Sequence, residues 1–209
     1  MSHSNLGHVH VVDDNPEIRL YLTYLLRQKG YSVQAHDSGE AFLQQAFDMF
    51  PAVLVLDVCM PVMSGIELQQ KLASLGHLTP IVFISGECQP EQIIQAMKGH
   101  PVEFLWKPIQ IQELLDAVDR GLAMGQQQRQ VRLRSGEMLR KCQSLSARER
   151  EVLVLMLDGH TNIGISERLA ILPDTAKKHR AHVLQKMQVS HLSELMALFK
   201  GLDLLAIFP

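Results

Sequence analysis

With 209 residues, 46% of them hydrophobic, the chain is long for one small domain and comfortable for two, with enough apolar content to build real cores. No run of about 18 uncharged apolar residues occurs, and the amino terminus MSHSNLGH lacks a basic-then-apolar leader pattern, so a cytoplasmic protein without a membrane partner is expected. The net charge of −2 conceals 7 Lys and Arg against 14 Asp and Glu over Met1 to Arg120 and 13 against 8 thereafter, which predicts a cation site in the acidic half and a polyanion partner for the basic half.

His8 to Val12 is short, apolar and β-branched, and reads as a strand ending in Asp13-Asp14-Asn15-Pro16. Pro16 suits the first turn of a helix to Lys29, with Ile18, Leu22, Leu25 and Leu26 at helical spacing and Gly30 as its stop. Tyr31 to Ala35 alternates as a second strand, and Gly39 to Phe50 reads as a helix. Ala52 to Leu56 is wholly apolar, ends in Asp57 and is followed by a turn with Pro61 and Gly65, the pattern of a strand buried on both faces. A helix follows from Gly65 to about Leu75, then a buried strand, Pro80 to Ile84, ending in Ser85-Gly86. Pro90 to Lys98 is a further helix, Val102 to Trp106 a fifth strand with Lys107-Pro108 at its tip, and the next helix starts near Ile109.

These βα units predict an α/β fold, a doubly wound, five-stranded parallel sheet. Right-handed crossovers bring Asp13, Asp14, Asp57, Ser85 and Lys107 to the carboxyl edge of the sheet, where ligands bind in such folds. Three crowded carboxylates repel unless a hard cation is shared, and Mg²⁺ favours one or two carboxylates together with phosphate oxygens and water. Lys107 adds a positive charge and Ser85 a hydroxyl, so the set describes a pocket for a phosphoryl group carried on a carboxylate. Cys59, Cys88 and Cys142 show no metal-ligand spacing and are expected as reduced thiols.

DD at the first strand tip, D-x-x-M-P-x-M-S-G at the third, a hydroxyl residue and Gly at the fourth and K-P at the fifth resemble the receiver domain of two-component response regulators, over residues about 8 to 120. The resemblance implies that Asp57 accepts a phosphoryl group from a sensor histidine kinase. It implies that Asp14, Asp57 and the backbone carbonyl of Cys59 bind Mg²⁺ directly, that Asp13 acts through water, and that Ser85 and Lys107 contact the phosphoryl oxygens. Phe104 matches the family's switch aromatic, against the plainer reading of an aromatic packed in a strand. Gly99-His100-Pro101 departs from the commoner pattern before the fifth strand, and Trp106 has no assigned role.

Gly121 to Ser144 carries three glycines, three consecutive glutamines and five Lys and Arg against one acid. Helix formers dominate it, so a long helical linker continuing the preceding helix and frayed near its glycines is expected. Beyond it, Ser146 and Glu149 form a capping box that opens a helix to Asp158-Gly159. Asn162 to Leu169 is a short helix, and Pro173 opens a third through about Met187, the helix-turn-helix arrangement. On this third helix Ala176, Val183 and Met187 have core spacing, while Lys177, Lys178, Ala181 and Gln185 face away. From Thr175 to Gln188 there are four Lys and Arg and no acid, which suits a helix entering a DNA major groove. A last helix runs from Leu192 to about Leu205.

L-S-x-R-E-R-E-V-L, G-x-T-N at Gly159 to Asn162, T-x-K-x-H-R at Thr175 to Arg180 and Lys186-Met187 resemble the LuxR-type DNA-binding domain, over about Leu145 to Phe199. A receiver followed by this small all-α domain is the NarL/FixJ architecture, and MSGIELQ with one helical linker leans to the FixJ-like branch. The expected division is a receiver over 1–120, a helical linker over 121–144 and a DNA-binding domain over 145–209. By this likeness Lys177, Lys178 and Ala181 reach base edges of double-stranded DNA; Thr175, Arg180, His182 and Lys186 are phosphate contacts or helix packing. Departures are Ile163 where Lys is common, Leu172 in place of a Ser cap, Asp174 beside the groove and Ala170 where Gly is common.

The reading is a response regulator that dimerises on phosphorylation and binds an inverted-repeat operator, with RNA polymerase as a candidate partner and no enzyme activity beyond slow autodephosphorylation. Two alternatives stand beside it. One is a Mg²⁺-dependent phosphohydrolase, although Asp57-Val58-Cys59 lacks the second acid such enzymes use; the other is a DNA binder independent of phosphorylation.

Overall fold

The computed structural model describes residues 6–44 and 52–200. The chain divides into two compact units, Met1–Gln130 and Val131–Pro209.

The first unit alternates strands and helices: β1 (His8–Val12), α1 (Pro16–Gln28), β2 (Ser32–His36), α2 (Gly39–Leu43), β3 (Ala52–Asp57), α3 (Gly65–Ser74), β4 (Ile81–Ser85), α4 (Pro90–Lys98), β5 (Glu103–Trp106) and α5 (Ile111–Gln143). The strands form one parallel sheet in the order β2-β1-β3-β4-β5. Because successive side chains on a strand point to opposite faces, β3 divides its apolar run between two cores. Val53 and Val55 join Leu22 and Leu26 of α1 and Leu114 and Val118 of α5, whereas Leu54 and Leu56 join Phe42 of α2, Leu68 and Leu72 of α3 and Ala96 of α4. All four β3 residues are fully buried, as a strand covered by helices on both faces requires.

Strand ends differ from the expected ones by a residue. β2 begins at Ser32 and ends at His36, since Val12 pairs with His36 in the ladder and the Tyr31 backbone amide is spent on the Leu26 carbonyl near the end of α1 (3.2 Å). β4 includes Ser85, β5 begins at Glu103, and α5 begins at Ile111. Of the helix expected over Gly39 to Phe50, Gly39–Leu43 is seen; residues 45–51 lie outside the described residues. The Gly99-His100-Pro101 departure has a local cause. The buried Gln69 amide donates to the Ala96 carbonyl at the end of α4 (3.2 Å), and a Cβ on Gly99 would overlap that amide at 2.2 Å.

Residues of α5 contribute to both units: Leu122 lies in the core with α1, and Met138 and Cys142 lie in the core of the second unit. The helix is continuous through its glycines rather than frayed at them. At Gly121 a Cβ would stand 2.5 Å from Val53 Cγ2, so two of the glycines serve close approach of the helix to β3: at Gly125 the Ala52 carbonyl would be 3.4 Å away.

The second unit continues with α6 (Ala147–Leu157), α7 (Asn162–Leu169), α8 (Pro173–Met187) and α9 (Leu192–Phe199). Val152, Leu153, Met156, Ile165, Ala176, Val183, Met187 and Leu195 are fully buried together. Ser146 caps α6 in the expected box with Glu149. The last helix is seen to Phe199, and residues 201–209 lie outside the described residues. Among the described residues no helix is long and apolar enough to cross a membrane.

Candidate functional site

Three strand tips and the loop after a fourth converge at the carboxyl edge of the sheet. β1 delivers Asp13, fully buried, and Asp14, exposed; β3 ends in Asp57, buried; β4 ends in Ser85, fully buried; Lys107 follows β5. Ligand oxygens of Asp13, Asp14 and Asp57 lie within 4.8 Å of one another. The Lys107 ammonium donates to Asp13 Oδ2 at 2.8 Å and to Asp57 Oδ1 at 3.0 Å. Asp13 is further fixed by the Asn15 amide, which donates to its Oδ1 (2.9 Å), and by Arg19, which donates to its carbonyl (2.7 Å).

The electrostatics follow from this crowding. Burial pushes the Asp57 carboxyl above its usual range, Lys107 opposes by hydrogen bond and charge, and Asp13 and Asp14 push it up again. Burial alone would lower the Lys107 ammonium, yet its bonds to Asp13 and Asp57 outweigh it and raise the group. Three hard carboxylate donors this close suit a small oxygen-seeking divalent cation, so the residues present fit Mg²⁺.

The Ser85 hydroxyl donates to the Glu87 carbonyl at 2.9 Å. Cys59, exposed in the turn after β3, donates its thiol to the same carbonyl at 3.1 Å. Phe104 is half-buried, with Phe83 at 6.2 Å and the half-exposed Trp106 at 5.2 Å between ring centroids. Gly65, which starts α3, passes so near β3 that a Cβ would lie 2.2 Å from the Asp57 carbonyl oxygen.

A second constellation lies on α7 and α8. Ala170 ends α7 in the left-handed region (φ 50°), and Leu172 caps α8 without a side-chain hydrogen bond. Lys177, Lys178, Ala181, His182 and Gln185 are exposed along α8, and Thr175 is half-buried. Arg180 and Lys186 are held within the unit: Arg180 donates to the His160 carbonyl (2.8 Å), and Lys186 donates to Glu149 Oε2 (2.6 Å) and the Ser144 carbonyl (3.1 Å). Arg180 is half-buried, whereas Lys186 keeps these partners while exposed. His182 Nδ1 stands 3.8 Å from Glu149 Oε1. The Lys186 hydrogen bond foremost, with those of Ser146, holds the buried Glu149 carboxyl down at about 2 against the opposing effect of burial.

The capping box makes Glu149 visible in sequence, but not its second role as the partner of a lysine 37 positions on. Arg148 is likewise unheralded; its guanidinium donates to the Leu169 carbonyl at the end of α7 and pairs with Glu151.

Comparison with known proteins matches residues 9–119 to the response regulator receiver domain and residues 143–199 to the bacterial regulatory proteins of the luxR family. Transcriptional regulatory protein FixJ of Rhizobium meliloti (strain 1021) is 36% identical over 195 residues, covering 92% of this chain and 96% of its own. Response regulator protein TmoT of Ectopseudomonas mendocina is 35% identical over 188 residues, 90% of this chain and 86% of its own. Among solved structures, response regulator StyR superposes with a TM-score of 0.83 at 38% identity, covering 92% of this chain and 98% of that one.

Proposed function

The chain belongs to the two-component response regulators, as a transcription regulator with a receiver and a LuxR-type DNA-binding domain, and from that premise we propose that Asp57 is its phosphoacceptor and α8 its DNA-reading element. The observation that carries the first half is the Lys107 ammonium held between Asp13 and Asp57 at the sheet edge. A cationic side chain already aimed at the acceptor carboxylate can follow the charge that grows on a transferred phosphoryl group.

In the proposed reaction an Asp57 carboxylate oxygen attacks the phosphorus of a phosphohistidine on the sensor kinase. The new P–O bond forms in line as the P–N bond breaks, and the imidazole leaves. Lys107 turns from Asp13 to a phosphoryl oxygen, and Ser85 releases the Glu87 carbonyl to donate to another. Asp14, Asp57 and the Cys59 carbonyl would hold Mg²⁺, with Asp13 acting through water; when bound the ion supplies neutralising charge to the phosphoryl oxygens. The half-buried Phe104 then turns inward into the space that Ser85 vacates. The altered surface pairs two receivers and, with them, two DNA-binding domains on an inverted repeat in the cytoplasm. Lys177, Lys178 and Ala181 read base edges, with Thr175 and His182 beside the phosphates and RNA polymerase as a further partner. No turnover of free phosphoesters is expected from such a site.

The test is acetyl phosphate with Mg²⁺, followed by intact mass and oligomeric state for the wild type and Asp57→Asn. One phosphoryl group gained by the wild type alone, with dimerisation, is the expected result. Equal labelling of the mutant would remove Asp57 as acceptor.

A further inference from the structure

The β3–α3 turn and the β4–α4 loop each carry a thiol at the rim of the acidic pocket. Cys59 is exposed and donates to the Glu87 carbonyl; Cys88 is half-buried, next in sequence to Glu87, and its thiol donates to Gln92 Oε1 at 3.5 Å. The Cys88 sulfur also lies within side-chain hydrogen-bonding reach of both Cys59 and Ser85. One backbone carbonyl, that of Glu87, thus receives both Ser85 Oγ and Cys59 Sγ, with a second thiol beside them. Cys142 is buried in the core of the other unit and takes no part.

We infer that Cys59 and Cys88 form an oxidisable dithiol, and that their cross-link, made by hydrogen peroxide, holds the receiver in its unphosphorylated arrangement. The second half rests on the phosphorylation reading above. In the reduced protein the two loops are joined here by a weak S–H···O bond, which Ser85 and its loop can break when the hydroxyl turns to the phosphoryl group. A disulfide makes the tie covalent one residue from Glu87, and keeps the carbonyl that binds Ser85 in place.

The chemistry balances with the peroxide as oxidant. The Cys59 thiolate attacks one peroxide oxygen, the O–O bond breaks, and a sulfenic acid and hydroxide result. The Cys88 thiolate attacks the Cys59 sulfur; the S–S bond forms, the S–O bond breaks, and the departing hydroxide is protonated. Two thiols and one peroxide give one disulfide and two waters. Cys59 is exposed and Cys88 half-buried, so Cys59 meets the oxidant first and Cys88 resolves it.

The experiment treats the full chain with stoichiometric hydrogen peroxide, maps linked peptides without reductant, and then measures the rate of acetyl phosphate labelling. Expected are the loss of two hydrogens in the intact mass, a peptide joining Cys59 to Cys88, and labelling slower by about tenfold or more, with full recovery in a thiol reductant. Cys88→Ser should form no such link and should label at the reduced wild-type rate in the presence of peroxide. Absence of the Cys59–Cys88 peptide overturns the dithiol, and a linked protein that labels as fast as the reduced one overturns its effect. If the reduced wild type fails to label at all, the phosphorylation reading fails and takes the second half with it, while the peptide map still decides the first.

Discussion

A lysine can serve the fold or the ligand, and the distinction lies in what its ammonium touches. Lys107 faces two carboxylates that a cation or phosphoryl group would also engage, whereas Lys186 donates to Glu149 and the Ser144 carbonyl. Lys186→Met would leave the buried Glu149 carboxylate with its Ser146 bonds and with His182 at 3.8 Å. A loss of about 1–3 kcal/mol in the stability of the second unit is expected, the lower end reflecting the partial exposure of the lysine. Urea unfolding would measure it, and an unchanged midpoint would return Lys186 to the DNA-facing set. Gly65 shows the same logic for backbone: the start of α3 runs against the Asp57 carbonyl, and no larger residue fits without moving Asp57.

Among the elements, α8 is positioned by its buried side and left underspecified at its start. Ala176, Val183 and Met187 seat it against α6 and α7, so Lys177, Lys178 and Ala181 stay outside by the 3.6-residue period alone. Its first turn has Pro173, suited to that place, but Leu172, largely exposed, offers no oxygen to the free amides. Leu172→Ser should supply that acceptor and raise the stability of the second unit by about 1 kcal/mol. Thermal unfolding of the two proteins side by side gives the answer; a lower midpoint for the serine variant would show that the leucine is packed to advantage. α5 is the opposite case, since Gly121 and Gly125 cost helix propensity and are used to bring the helix close to β3.

At the scale of the whole molecule the two units answer acid in different windows. His10, packed against His8, His36 and Phe42, is held down to about 3 from 6.5, by burial first and then by the charges of His8 and His36. Protons therefore bind the unfolded chain in preference, and the stability this group lends above pH 6.5 drains away as pH falls toward 3. Glu149 is also depressed, from 4.5 to about 2, so its contribution is complete above 4.5 and is lost only below that value. Urea titrations followed by unit-specific probes should show the first unit weakening between pH 7 and 5, about where histidine titrates in an unfolded chain, while the second holds until pH drops below 4.5. Replacing His10 with Gln should flatten the first response; a first unit equally stable at both values would contradict this assignment.

Local chemistry in the sequence was sufficient for the strand and helix order, the two-faced burial of β3 and the gathering of Asp13, Asp14, Asp57, Ser85 and Lys107, because apolar period and turn residues act over a few positions and parallel crossovers have one hand. Tertiary structure alone decided that Lys186 and Arg180 find partners within their own unit, that Gly99 makes room for Gln69, and that Cys59 and Ser85 meet at one carbonyl. Those pairings join residues from about 20 to nearly 40 positions apart, and a contact of that separation is set by how whole elements pack, which no local pattern encodes.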